Sequence, residues 1–270
     1  MTNLIVVDVD GTLVNSNSQI TERTKKALIR ASKEGHKVMI ASGRPTSGIY
    51  ALAKALKFDE FGGLISSFNG GMLYDYKDKK ILANHPMDLS LAKEILEFSK
   101  NLDLELMVPK GDYIITDDAS KYYPSWESEN LGVPLKEDKT IRDTIDFEPN
   151  KFLFAADLEK IDEPRQKLID KFGDRTYQVQ SLRFYHEVMP LGLSKGNSVL
   201  EACKILGIDT DDILIFGDEM NDVTMFEIGG TRVAMGNAVD YIKEIADHIT
   251  LSNDEDGIAA YLEEYLFKEI

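Results

Sequence analysis

Asp8 and Asp10 stand one residue apart, directly after the apolar run Leu4-Ile5-Val6-Val7. Gly11, Thr12, Leu13 and Val14 follow. Two carboxylates at the end of a buried-type strand repel each other, a cost in free energy that a cation or a reaction must offset. A second acidic group lies far downstream, in Gly217-Asp218-Glu219-Met220-Asn221-Asp222, again after an apolar run, 213–216. Asp218 and Asp222 are four apart, so a helical turn brings them to one side. With both groups at strand ends, Asp8, Asp10, Asp218 and Asp222 converge. Oxygen-only ligands suit a hard cation such as Mg²⁺. An EF-hand loop is excluded: Thr12, Leu13 and Gln19 stand where it requires Asp or Asn, Gly and Glu.

Two further polar signals fall at comparable places. Ala41-Ser42-Gly43-Arg44 follows another apolar run. A Ser42 hydroxyl and free backbone N–H groups at a helix start suit a phosphate, and a capping serine is the plain alternative. Gly192-Leu193-Ser194-Lys195-Gly196 opens a helix, with Ser194 as a cap and Lys195 as a surface lysine on the simplest view. Zinc has no His/Cys cluster to bind, because His36, His85, His186 and His248 are scattered. Cys203, the one cysteine, reads as a small buried hydrophobe, and no disulfide within the chain is possible.

The elements that must position these residues alternate. A strand over 4–7 leads to a helix over 21–34, capped by Thr21 and closed by Gly35. Strands follow at 37–41 and 64–65, with a helix after Pro45 between them and a turn at Asn69-Gly70-Gly71. This order implies a parallel sheet with helices on its faces. From 86 to 187 the pattern becomes mixed. Helices are expected over 91–102 and 161–172, and strands at 104–108, 113–116, 151–156, 176–179 and 183–188. The aromatic residues Tyr122, Tyr123 and Trp126 read as exposed here. Alternation then returns: a helix over 195–206, a strand at 213–216, a helix from about Asn221, a strand at 232–235 and an amphipathic helix over 256–267. The acidic clusters at 209–212 and 253–256 read as solvated loops and caps. The expected fold is α/β: a Rossmann-like doubly wound parallel sheet formed by 1–85 and 188–270, interrupted by an inserted α+β cap domain over 86–187.

The bulk composition bounds the partners. The 270 residues hold 31 basic and 47 acidic side chains, a net charge of −16. Such a field disfavours nucleic acid and anionic membrane as partners. It also repels phosphates, so any phosphate site needs local cations. A hydrophobic fraction of 43% suffices for a core. No signal-like leader or apolar run near the roughly 18 residues of a membrane span is present, and with the lone cysteine this gives a cytoplasmic expectation.

Asp8-Val9-Asp10-Gly11-Thr12, Ser42, Lys195 and Gly217-Asp218-x-x-Asn221-Asp222 together resemble the four motifs of the haloacid dehalogenase-like (HAD) phosphohydrolases, in that family's order. Ala41-Ser42-Gly43-Arg44-Pro45, the turn at Asn69-Gly70-Gly71 and the insertion between the second and third motifs resemble its Cof-type class IIB branch. Val9 departs from the Leu or Met common there. The resemblance implies a Mg²⁺-dependent phosphatase acting on small phosphorylated metabolites, such as sugar phosphates or phosphorylated cofactors. Asp8 would be the nucleophile, forming an aspartyl-phosphate. Asp10 would be general acid and then general base. Mg²⁺ would take the Asp8 carboxylate, the Asp10 carbonyl and Asp218, while Asn221 and Asp222 orient bound waters and Lys195. Ser42 and Lys195 would hold the phosphoryl oxygens. Gly43 and Arg44 would border the substrate, or Arg44 would form a structural salt bridge. A phosphomutase of the same superfamily and a phospho-receiver signalling domain are the alternatives; the second is about half as long and lacks a large insertion.

Overall fold

The computed structural model describes residues 3–267. The chain divides into two compact units. The first draws on the stretch up to Arg44, on Ile49–Asn84, and on the chain from Ser194 onward; the second holds Pro45–Gly48 and His85–Leu193.

In the first unit the strands are β1 (Leu4–Val7), β2 (Lys37–Ala41), β3 (Leu64–Ser67), β4 (Met72–Asp75) and β5 (Lys80–Asn84). After the strands of the second unit come β12 (Ile213–Gly217), β13 (Thr231–Ala234) and β14 (His248–Ile249). They form one sheet in the order β14-β13-β12-β1-β2-β3-β4-β5. Neighbours from β14 to β3 pair in parallel, and β4 and β5 add an antiparallel hairpin at one edge. All four residues of β1 are completely buried, as a continuous apolar strand covered on both faces requires. The chain leaves β1 toward β2 on one side, while β12 pairs on the other with Val7 opposite Phe216. The carboxyl ends of β1 and β12 therefore form the switch point of the sheet, where α/β folds place their ligands. Asp8 and Asp218 are the residues that follow these ends.

The helix expected over 21–34 runs Glu22–Lys33, and the Thr21 side chain accepts from Thr24 N as its cap. The helix after Pro45 begins as a tight turn over Thr46–Ile49 and becomes α-helical only at Tyr50–Ala55. That expected from Asn221 splits likewise into a turn at Met220–Asp222 and a short helix, Val223–Phe226. The C-terminal helix is α-helical over Gly257–Tyr261 and widens to a π turn at Leu262–Leu266. Asp209 accepts locally from Asp211 N, while Asp254 accepts from Ser16 N and Oγ, 238 positions away. Cys203 is buried in the helix Lys195–Leu206.

The second unit is a six-stranded sheet built from β6 (Glu105–Lys110), β7 (Tyr113–Thr116), β8 (Leu135–Glu137), β9 (Phe152–Ala155), β10 (Thr176–Val179) and β11 (Tyr185–Pro190), in the order β10-β11-β9-β6-β7-β8. All its pairings are antiparallel except β7 with β8. Helices Leu89–Ser99 and Asp162–Phe172 bury Ile95, Leu96, Leu168 and Phe172 with Phe152 and Phe154 of β9. A helix that the sequence pattern did not reveal, Tyr122–Leu131, joins a separate cluster with Met107, Leu153 and Tyr185. This corrects the expected exposure of its aromatics. Tyr122 is exposed, but Tyr123 is buried against Phe184, and Trp126 packs edge-on to Phe184 and Tyr185. Among the described residues, no helix is long and apolar enough to cross a membrane.

Candidate active site

Three adjacent strand ends and one helix start bring the side chains together. Asp8 follows β1, Ser42 follows β2, Asp218 follows β12, and Lys195 is the first residue of the helix Lys195–Leu206. That helix start is fixed by Ser194, whose side chain accepts from Asn197 N, and by Gly70. Gly70 has φ +95°, and a Cβ there would meet the Ser194 carbonyl oxygen at 2.2 Å. The turn at Asn69-Gly70-Gly71 thus lies hard against the helix that delivers Lys195.

Lys195 is no surface lysine, since only 1% of its side chain is exposed. Its Nζ donates to Asp8 Oδ1 at 2.5 Å and to Asp222 Oδ1 at 2.7 Å. Burial favours the neutral amine, yet Asp222 and Asp8 more than offset this, so the lysine stays protonated well above its ordinary range. Asp222 is fully buried, and its Oδ2 accepts from the backbone N–H groups of Asp218, at 2.9 Å, and Glu219, at 3.2 Å. Both of its oxygens are thereby engaged, and it orients Lys195 and the Asp218 loop. Asp218 is held by the Thr12 hydroxyl, which donates to its Oδ1 at 2.6 Å. Burial pushes the Asp218 carboxyl up to about 6, Asp222 adds to the effect, and the Thr12 hydrogen bond opposes it.

Asp8, Asp218 and Asp222 each offer a carboxylate oxygen within 4.8 Å of the others. The four expected carboxylates therefore do not all converge. Asp10 lies one step further along a loop that has already left the strand, and its side chain is 64% exposed. Its carboxylate accepts from Arg44 Nε at 3.1 Å and Nη2 at 2.6 Å. Repulsion between Asp8 and Asp10 is relieved in part by this partner, as well as by separation.

Ser42 is buried. The free N–H groups expected around it are in use, since Ser42 N donates to Ser66 O at 2.9 Å and Arg44 N to Ser42 Oγ at 3.1 Å. Its hydroxyl proton is still available for donation. Gly43 is half-buried, and Asn221 is exposed in the short turn before Asp222. Two contributors had no role assigned from the sequence. Thr12 closes the motif Asp8-Val9-Asp10-Gly11-Thr12 but was given no task there, and Asn237, outside every motif, donates through Nδ2 to the Gly11 carbonyl at 2.8 Å from 226 positions away.

The charge of the cluster tests whether a cation fits. Three buried carboxyl groups face one buried ammonium, so with all three ionised two negative charges lack a partner, the complement of one divalent cation; burial accordingly pushes the Asp8 carboxyl well above the usual carboxylate range. The raised Asp218 carboxyl is the local sign of that deficit. Its donors are all oxygen, as a hard cation prefers.

A family model described as haloacid dehalogenase-like hydrolase matches residues 5–262. YxeH of Bacillus subtilis (strain 168) is 30% identical, over 98% of this chain and 98% of its own. The 5-amino-6-(5-phospho-D-ribitylamino)uracil phosphatase YwtE of the same organism is 28% identical, over 97% of each chain. The crystal structure of a haloacid dehalogenase-like hydrolase from Bacteroides thetaiotaomicron superposes with a TM-score of 0.93 at 32% identity, covering 97% of this chain and 99% of that one.

Proposed function

The chain belongs to the haloacid dehalogenase-like hydrolase family, and on that premise we propose that it is a Mg²⁺-dependent phosphatase of small phosphorylated metabolites. The observation that carries this reading is the buried contact of Lys195 with Asp8 at a switch point that needs two more positive charges. The substrate named for YwtE, a phosphorylated ribitylaminouracil, supports a sugar phosphate or phosphorylated cofactor as the substrate class.

Asp8, the Asp10 backbone carbonyl and Asp218 would hold Mg²⁺, which supplies positive charge to the phosphoryl oxygens. Lys195 and the Ser42 hydroxyl hold those oxygens from the protein side. Asp8 attacks phosphorus with a carboxylate oxygen. The P–O bond to the substrate breaks, its electron pair stays on the leaving oxygen, and that oxygen takes the Asp10 proton. Water then attacks the phosphorus of the aspartyl-phosphate and gives a proton back to Asp10, which releases inorganic phosphate and restores Asp8. Asp222 and Asn221 keep the Lys195 ammonium and the Asp218 loop in register. The insertion, 86–187, selects the leaving group, in a cytoplasmic enzyme with no nucleic-acid or membrane partner.

The test is phosphate release from a panel of phosphorylated sugars and cofactors, with Mg²⁺ and with EDTA. Turnover of several small esters that EDTA abolishes and Mg²⁺ restores supports the reading. Activity that persists in EDTA, or that appears on phosphopeptides alone, refutes it.

A further inference from the structure

Arg44 and Asp10 make the kind of pair in which geometry is fully specified. Both carboxylate oxygens accept, one from Nε and one from Nη2, so the guanidinium fork fixes the plane and direction of the carboxylate as well as its place. Among the described residues, no other side chain is hydrogen-bonded to that carboxylate. The arginine is anchored in turn. Arg44 N donates to Ser42 Oγ, and Arg44 O accepts from Phe68 N at 3.1 Å. Ser42 N is tied to Ser66 O on β3. The fork thus hangs from backbone bolted to the ends of β2 and β3, while the loop bearing Asp10 is tied by its own backbone bonds, Leu13 N to Asp8 O and Val14 N to Val9 O, and leaves the Asp10 carboxylate to Arg44.

Stability does not account for the pair. Asp10 is mostly exposed, and exposed ion pairs contribute about 0–1 kcal/mol. Orientation does account for it: a general acid works only from a defined position, and a misplacement of about 1 Å can cost a hundredfold in rate.

We propose that Arg44 is the positioning residue of Asp10: it holds the acid–base carboxylate on a fixed heading by a two-bond fork, rather than gripping the phosphoryl group of the substrate. The inference rests on the acid–base role assigned to Asp10 above.

The test is a double-mutant cycle on the full chain with Mg²⁺, using Arg44→Met, Arg44→Lys, Asp10→Asn and the Asp10→Asn double variants. Glycerol 2-phosphate, with a poor leaving group, and p-nitrophenyl phosphate, with a good one, are the substrates. Arg44→Met is expected to lower kcat on glycerol 2-phosphate by about tenfold to a hundredfold, with KM little changed and a smaller loss on p-nitrophenyl phosphate. In the Asp10→Asn background the same substitution is expected to cost nothing further. Arg44→Lys keeps the charge without the fork and is expected to follow Arg44→Met. Losses that add in the double variants overturn the proposal, as does a rise in KM alone that is equal for both esters. Parent-level kcat in Arg44→Lys overturns the fork. An Asp10→Asn enzyme as active as the parent overturns instead the acid–base role itself, which separates that failure from one of Arg44.

Discussion

Gly11 and Asp218 approach so closely that a Cβ on the glycine would lie 2.1 Å from Asp218 Oδ2, with Gly11 at φ +84°. No residue with a side chain fits there. Gly11→Ala must therefore push Asp218 aside and strain its own backbone, the latter by roughly 1–2 kcal/mol. The expected outcome is a folded protein whose activity needs at least about tenfold more Mg²⁺ for half-saturation, since one displaced carboxylate can cost that much affinity. Titration of phosphate release against Mg²⁺ checks this. An unchanged midpoint would show that Asp218 does not hold the ion.

Asp8→Asn should remove essentially all turnover and leave the unfolding midpoint within the range of ordinary variants. An amide has no nucleophilic oxygen of comparable strength. Steady-state phosphate release and a urea titration read the two quantities separately. Near-normal release from the folded variant would exclude Asp8 as the nucleophile.

Lys195 compensates two buried carboxylates at once, Asp8 and Asp222. Lys195→Met leaves both without their ammonium, and breaking a buried pair in this way costs about 3–5 kcal/mol. The variant should be strongly destabilised in EDTA. On a substrate it should lose about 2–4 kcal/mol of transition-state stabilisation. Urea unfolding in EDTA measures the first, and kcat/KM with Mg²⁺ the second. A loss under about tenfold in kcat/KM would move Lys195 out of the reaction.

His186 lies buried in the second unit with Nε2 2.7 Å from Gln178 Oε1. Burial, aided by the nearby Arg165 charge, lowers its pKa from 6.5 to about 4. The unfolded chain therefore takes up a proton near pH 6.5, while the folded chain refuses it until about pH 4. Stability contributed by the neutral ring is present above pH 6.5, falls as the pH drops below it and levels off near 4, a total of about 3 kcal/mol. His186→Leu should lose less stability than the parent between pH 7 and pH 5 by urea unfolding. Equal losses in the two proteins would remove His186 as the source.

The parts of the fold that were legible share one property: their signal is local. The runs 4–7 and 213–216 are apolar throughout because both faces of β1 and β12 are covered. Thr21 announces its helix because the cap bond is made three residues on. The hairpin β4–β5 was not legible, as its strands are only half-buried at a sheet edge and carry no clean alternation. The helix Tyr122–Leu131 was missed because YYPSWESENL has no apolar stripe at helical spacing, with Pro124 accommodated in the first turn. At the site, residue types and spacing pointed to Asp8 and Asp218, whereas Lys195 read as a surface lysine by itself and was singled out only by the family resemblance. Neither signal revealed that Asp10 turns to Arg44, because the direction of a side chain on a loop depends on a partner 34 positions away.

The pairing of β1 with β12 joins Leu4 to Ile213 and Val7 to Phe216 across more than 200 intervening residues. During synthesis the chain therefore exposes its first aspartates long before the strand that must lie beside them exists. A segment as apolar as Leu4–Val7 has to wait, with only β2 available as an early partner, itself backed by β3. The residues of the second unit, most of them contiguous in sequence, emerge during that delay and make their contacts over shorter separations. Closure of the first unit is accordingly the slow, late event, set by the loop that must be bridged. A nascent chain released before Ile213 would carry Asp8 and Asp10 without the counter-charge of an assembled site, and would be a substrate for proteolysis rather than a premature enzyme.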